Sequence, residues 1–175
     1  MKQVLYILTS LVSIIFFISC DDDETCSEPT FEYTWTENQS IDMVVDTFAL
    51  VDTLMPVSNY FTTSGQYNLF VFRNRLSFCE DIADTGGSVL LSFVVPPDST
   101  ESFLYSGQEL KETSAFLNIS TFGGGPHHSI EEGEISGTRV NENSWQVSID
   151  VTTQPQDSRV QSPADFLIDE IFTLE

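Results

Sequence analysis

The sequence predicts an all-β fold, and three features support this class. The chain contains 14 Phe, together with many Val, Ile and Thr, which are residue types that strands favour. One segment alternates between apolar and polar residues, as an antiparallel strand with one solvated face does. The other apolar segments follow one another without helical segments between them. We therefore predict a single antiparallel β-sandwich over residues 30–175, Ig-like or similar, with a calycin-like barrel as the alternative.

The alternating segment, residues 145–152, gives the clearest strand. Its apolar face holds Trp145, Val147, Ile149 and Val151, and its polar face holds Gln146, Ser148, Asp150 and Thr152. A slip by one residue would bury Asp150 and expose Trp145, so one register is strongly favoured. Residues 141–144 form a turn cluster, and residues 135–140 supply the preceding strand of a hairpin.

Further strands are predicted at residues 31–36, 43–50, 67–78, 88–95 and 115–122. Residues 88–95 are almost continuously apolar, which indicates a central strand buried on both faces. Pro96 and Pro97 end that strand, because proline cannot donate a hydrogen bond to its neighbour. At the C-terminus, Ser162 and Pro163 predict a short capped turn that precedes a closing strand.

The N-terminal residues predict a cleaved signal peptide over residues 1–19. An apolar run of about fifteen residues follows Lys2, which is short of the ~20 residues that a membrane-spanning helix needs. Residues 17–20, Phe-Ile-Ser-Cys, resemble a bacterial lipobox, although Phe17 stands where Leu is usual. The resemblance implies cleavage before Cys20 and lipidation of that cysteine, with palmitate-type chains as a stable membrane anchor. An ordinary secretory signal with a chance cysteine is the alternative.

An acidic run follows Cys20 and begins a tether over residues 20–29. The run consists of Asp21, Asp22, Asp23 and Glu24. It resembles the export signal of surface lipoproteins in certain Gram-negative bacteria, which implies an outer-membrane protein that faces the cell exterior. Two alternatives are retention on the periplasmic face and a solvated acidic linker without information. The tether spans at most about 30 Å, so the domain is expected close to the membrane.

The charge balance limits the classes of molecule that the protein can bind. The chain has 27 acidic and 6 basic residues and a formal net charge of −21. Removing residues 1–19 removes Lys2 and no acidic residue, so the mature charge becomes −22. A surface of this sign repels nucleic acid and anionic headgroups. The expected partners are the membrane, through the N-terminal lipid, and an unidentified protein or glycan.

Two cysteines remain after Cys20. An oxidising compartment favours a disulfide between Cys26 and Cys79, with two buried free thiols as the alternative. Closing a loop of about 54 residues would stabilise the fold by roughly 4 kcal/mol on the chain-entropy model.

The candidates for metal binding are weak, and no cofactor is expected. His127 and His128 follow a Gly-Gly-Gly-Pro segment and could join Glu131 and Glu132 around a metal ion. Neighbouring side chains of an extended segment point in opposite directions, so a solvated loop is the favoured interpretation. Clustered loop carboxylates are compatible with weak Ca²⁺ binding.

Enzyme signatures are missing from the sequence. Residues 84–86, Asp-Thr-Gly, match the tripeptide of aspartic proteases, but that mechanism needs two aspartates at a symmetric site and the chain has one copy. Trp35, Tyr33 and Tyr105 are candidates for an aromatic carbohydrate platform, although most aromatic residues of a sandwich belong to its core. We therefore expect a surface lipoprotein with a non-enzymatic binding or assembly role. The alternatives are an unrecognised hydrolase of glycans or peptides and a barrel that holds a small apolar ligand.

Residues 104–152 resemble small lipoproteins of the same bacterial group. The shared features are a Tyr-Ser-Gly at residues 105–107, a glycine-containing strand at residues 132–137 and the alternating strand at residues 145–151. The resemblance implies a β architecture but does not indicate an activity.

Overall fold

The computed structural model describes residues 26–50, 53–79, 86–120, 127–154 and 164–175. The predicted all-β class is confirmed, since this part of the chain contains nine strands and one short 3₁₀ helix, Gly107–Thr113. The strands are β1 Thr30–Leu50, β2 Thr53–Ser64, β3 Tyr67–Arg75, β4 Ser88–Val95, β5 Ser102–Ser106, β6 Phe116–Ser120, β7 His127–Asn141, β8 Ser144–Gln154 and β9 Ala164–Leu174. No helix in the described ranges is long and apolar enough to cross a membrane.

The strands form one sheet that closes on itself. Its order is β2-β1-β3-β4-β6-β7-β8-β9, with β5 paired to β7, and the pairs along this path are antiparallel. A short parallel contact between β9 and β1 joins Thr173 to Thr34 and Leu174 to Trp35. The closed order gives the fold a barrel-like connectivity around a single core.

Aromatic side chains fill this core. The Phe70 ring stacks on Phe93 at 5.1 Å between centroids, and Trp145 meets the edge of Trp35 at 6.4 Å. Other buried core side chains include Phe72, Leu91, Val95, Phe103, Leu117, Ile135, Ile149 and Phe172. The apolar side chains of the predicted strands therefore form an aromatic interior, and one continuous sheet encloses it.

The predicted register of the β7–β8 hairpin is confirmed. Trp145, Val147, Ile149 and Val151 are buried, and Asp150 is exposed on the opposite face. The turn is also where the sequence placed it, because β7 ends at Asn141 and β8 begins at Ser144. The Asn143 backbone N–H donates to Asn141 Oδ1 at 2.8 Å, which closes this turn locally.

The central strand is confirmed as well. β4 has the predicted bounds and lies between β3 and β6. Its residues from Leu91 to Val95 are all buried, so both faces of this half of the strand are covered. The first three residues are only partly buried, which leaves Leu90 on the floor of the groove described below.

The longest strand differs from its prediction. Residues 31–36 and 43–50 were expected as two strands, but both belong to β1, whose pairing with β3 shifts between Thr36 and Gln39. Asn38 has a positive φ of 59° at this irregularity. Asparagine tolerates that conformation better than most residues, so the chain changes direction here without ending its strand.

A hairpin arm extends beyond this irregularity. The arm comprises residues 40–50 of β1 and all of β2. No strand was predicted from the sequence over the residues of β2. Pro56 argues against a strand in an interior position, but β2 pairs with one neighbour among the described strands, and an edge strand accommodates proline. The arm reaches back over the outer face of the sheet, where Tyr60 contacts Phe116 of β6 and His127 of β7.

The predicted disulfide between Cys26 and Cys79 is present. It joins the segment before β1 to the segment after β3. Two hydrogen bonds accompany it, since the Ser27 N–H donates to Phe78 O at 2.8 Å and the Phe78 N–H donates to Ser27 Oγ at 2.9 Å. The start of the domain is therefore fixed to the sheet next to the bridge.

Candidate functional site

A groove of about 710 Å³ lies between the arm and the outer face of the sheet. Side chains of a strand alternate between two faces, so the residues between the core positions of β1, β3, β4 and β6 form its floor. The floor includes Thr34, Thr36, Leu69, Val71, Leu90, Ser92 and Asn118, and the arm contributes Tyr60, Phe61 and Thr62. Hydroxyl and amide groups thus alternate with small apolar patches along a shallow surface.

The arm forms an aromatic wall at one end of the groove. The rings of Tyr60 and Phe116 stack at 4.7 Å between centroids with an interplanar angle of 11°. The His127 ring lies 5.8 Å from Tyr60 and 5.4 Å from Phe116. Phe116 is buried under these contacts, whereas Tyr60 and His127 stay partly accessible. This three-ring cluster holds the arm against the sheet and leaves part of Tyr60 to the groove.

Charged side chains line another part of the groove. Glu32 accepts a hydrogen bond from Arg73 at 3.1 Å and forms an ion pair with Arg75 at 3.2 Å. Glu175 lines the same groove, so two carboxylates accompany two guanidinium groups. A region of balanced charge is unusual in a chain whose net charge is −21. The groove therefore suits a ligand that carries little net charge.

The two histidines have different environments. His127 belongs to the aromatic wall, and burial lowers its pKa, with the neighbouring His128 adding to the effect. His128 is only 3% exposed on the inner face of the sheet, and burial lowers its pKa too. Both imidazoles are therefore neutral at neutral pH. Neither ring nitrogen of His128 has a hydrogen-bond partner among the residues that the structure describes.

The residues proposed for metal binding are not brought together as a group. His127 faces the groove, His128 is inside the core and Glu132 is exposed to solvent. The side chain of Glu131 lies outside the described part of the structure. Among the described residues, no three His, Cys, Asp or Glu side chains are grouped so that they could hold a metal ion.

The three aromatic candidates for a carbohydrate platform pack in or against the core, which is the interpretation that the sequence favoured. Trp35 is 1% exposed and belongs to the core. Tyr33 packs against the rings of Phe72 and Phe172, and Tyr105 packs against Phe103. These side chains lie on the inner face of the sheet, where strand alternation and burial direct large rings.

The sequence did not predict Tyr60, whose ring is partly accessible in the groove, or the buried Phe116 on which that ring stacks. Their contact depends on the path of the arm, and Pro56 obscured the strand that carries Tyr60. The local signal was limited to residues 60–63, Tyr-Phe-Thr-Thr, which are types that strands favour.

Several predicted site residues lie outside the described part of the chain. These are Cys20 and the acidic run Asp21, Asp22, Asp23 and Glu24, together with Asp84 of the protease-like tripeptide. Lipidation and surface export therefore stay predictions.

Comparison with known proteins gives no functional assignment. No family model matches the chain, and neither a curated protein nor a solved structure matches it. The function is therefore inferred from the chemistry of the groove and from the N-terminal residues.

Proposed function

We propose that the protein is a lipid-anchored binding protein of the outer membrane, exposed to the cell exterior, and that it binds a glycan in the groove beneath the arm. The lipobox-like residues before Cys20 and the acidic run after it support the anchor and its location. The groove supports a binding role without catalysis.

The composition of the groove is the observation that carries the glycan assignment. A sugar presents hydroxyl groups around its edge and C–H groups on its faces, so its site needs many polar partners and an apolar or aromatic surface. Thr34, Thr36 and Asn118 provide hydroxyl and amide groups on the floor. The partly accessible ring of Tyr60 provides an aromatic surface beside them.

The electrostatics of the groove favour a glycan without strong charge. Arg73 and Arg75 are already engaged by Glu32, and burial keeps His127 neutral. The surrounding acidic surface repels polyanions at long range. An uncharged or weakly charged oligosaccharide needs no free arginine for binding, and the acidic surface does not repel it.

Two alternatives fit the geometry less well. A hydrolase needs an acid and a base that are positioned on its substrate, whereas Glu32 in the groove is held by two arginines and Glu175, the other carboxylate of the lining, is exposed to solvent. A barrel for a small apolar ligand needs an internal cavity, whereas aromatic rings occupy the centre of this sheet.

A glycan array probed with the purified full-length protein tests the proposal, followed by calorimetric titration of each glycan that is retained. Thr36→Val removes a groove hydroxyl and keeps the side-chain shape, and should weaken binding by about 5- to 10-fold, the value of one ordinary hydrogen bond. Thr138→Val makes the same change on β7 outside the groove and should leave binding unchanged. No retained glycan, or equal affinities for the two variants, contradicts the assignment.

A further inference from the structure

One end of the closed sheet presents three exposed apolar side chains beside the disulfide. Phe31 is 56% exposed, Leu76 is 40% exposed and Phe78 is 47% exposed. β1 begins and β3 ends at this place, which we call the disulfide end and define by these three residues. Large apolar side chains that are exposed together mark a surface that contacts another molecule or a membrane.

Local contacts hold this end in place. The backbone of Phe78 exchanges two hydrogen bonds with Ser27, and Cys79 beside it is bonded to Cys26. The Phe78 ring lies against Gly86, where an added Cβ would be 3.3 Å from it. The Leu76 N–H donates to Gly87 O at 3.0 Å. The backbone that carries Leu76 and Phe78 is therefore tied to neighbouring segments directly after β3.

The position of the disulfide end relative to the predicted anchor identifies what it contacts. Cys26 is six residues after Cys20, and six residues span at most about 20 Å. A chain lipidated at Cys20 therefore keeps Cys26 within that distance of the bilayer surface, and Phe78 lies close by because it precedes Cys79 of the disulfide. The turn between β7 and β8 lies at the other end of the sheet.

We propose that the disulfide end rests on the membrane, with Phe31, Leu76 and Phe78 in contact with the lipid headgroup and upper acyl region. The proposal rests on the proposed lipid anchor. Since the anchor already holds the domain at the surface, a small apolar contact is enough to orient it. Arg73 and Arg75 line a depression together with Leu76 and Phe78, but both are engaged by Glu32, so the apolar side chains carry the contact.

The acidic groups near this end define the lipid class. Glu28 lines the same depression, and the acidic run from Asp21 to Glu24 lies within the tether. These carboxylates oppose an anionic surface. The contact is therefore with zwitterionic lipid, and phosphatidylcholine vesicles are the appropriate probe.

Tryptophan fluorescence in vesicles with brominated acyl chains tests the contact. The full-length lipidated protein is reconstituted into these vesicles as the variants Phe78→Trp and Leu76→Trp. Trp35 and Trp145 are each 1% exposed, so they give a background that the lipid should not quench. Val140→Trp is the matched control, because Val140 is 56% exposed next to the turn at the opposite end.

The expected result is quenching and a blue shift of the added tryptophan in Phe78→Trp and Leu76→Trp, with neither change in Val140→Trp. Vesicle flotation and thermal unfolding show beforehand that each variant is bound and folded. A floating protein with equal emission from all three variants overturns the membrane contact and leaves the anchor intact. A protein that does not float overturns the anchor, and the contact with it.

Discussion

The ring of Phe103 lies across Gly137, its direct partner on the neighbouring strand. β5 pairs with β7 so that the two residues are opposite each other, and a Cβ on Gly137 would overlap the Phe103 ring. The same ring contacts Phe70 and Trp145, each at 5.4 Å between centroids. Gly137 is therefore required for steric reasons, because it gives a core aromatic ring its space.

Gly137→Ala should lower the free energy of unfolding by about 1–3 kcal/mol, because the added methyl group forces Phe103 out of its position in a packed core. Chemical denaturation measures the effect, and Ser136→Ala on the opposite face of the same strand is the control. Adding Phe103→Leu to Gly137→Ala should recover part of the loss, since the smaller side chain accepts the methyl group. Strictly additive effects would contradict the steric explanation.

Removing the disulfide should cost about 4 kcal/mol of stability on the chain-entropy model, because it frees a loop of about 54 residues in the unfolded chain. The double variant Cys26→Ser/Cys79→Ser tests this by denaturation beside the oxidised parent. Treating the parent with a reductant should reproduce the loss, and treating the variant should change nothing. A parent that is insensitive to reductant would show that the bridge does not stabilise the fold.

The stability of the protein should fall as the pH drops below about 6.5, the ordinary pKa of histidine. Burial lowers the pKa of His128 in the folded state, so the unfolded state binds a proton more readily in this range. His127 acts in the same direction because burial lowers its pKa as well. As the pH rises well above about 6.5, both groups become neutral in the unfolded state as well, and the penalty disappears.

His128→Leu isolates the contribution of the buried ring. Both nitrogens of His128 lack partners within the described part of the chain, so an apolar replacement should be neutral or stabilising at pH 8. At pH 5.5 the variant should gain stability relative to the parent, because it no longer loses a proton on folding. Comparing the two proteins at each pH cancels the titration of the carboxylates, and a constant difference would exclude His128 as the source.

The sequence predicted the parts of the fold that depend on neighbouring residues. The period-two pattern of β8 specified its buried face, and the apolar run of β4 specified a central strand. β2 was missed because Pro56 resembles a loop signal, although an edge strand tolerates it. The groove was missed because it depends on Tyr60 meeting Phe116, a contact between distant segments that no local pattern encodes.

The anchor is tested by Cys20→Ala, which removes the thiol that the lipid would modify. We expect the parent in the membrane fraction and the variant in the soluble fraction or uncleaved at residue 19. Mass spectrometry of the parent should show a lipidated N-terminal cysteine. A variant as tightly bound to membranes as the parent would refute the lipoprotein assignment.

The register of β8 is tested by substitutions at two adjacent positions with opposite orientation. Val147 is fully buried between β7 and β9, and Ser148 is partly exposed on the outer face. Val147→Asp places an unpaired carboxylate in the aromatic core and should cost roughly 4 kcal/mol or more, enough to unfold a marginally stable domain. Ser148 lies opposite Asp169, so aspartate there would add repulsion between like charges, and Ser148→Asn is the better control. That control should change stability by less than about 0.5 kcal/mol. Chemical denaturation compares the two, and equal tolerance would contradict the inward orientation of Val147 that defines this strand.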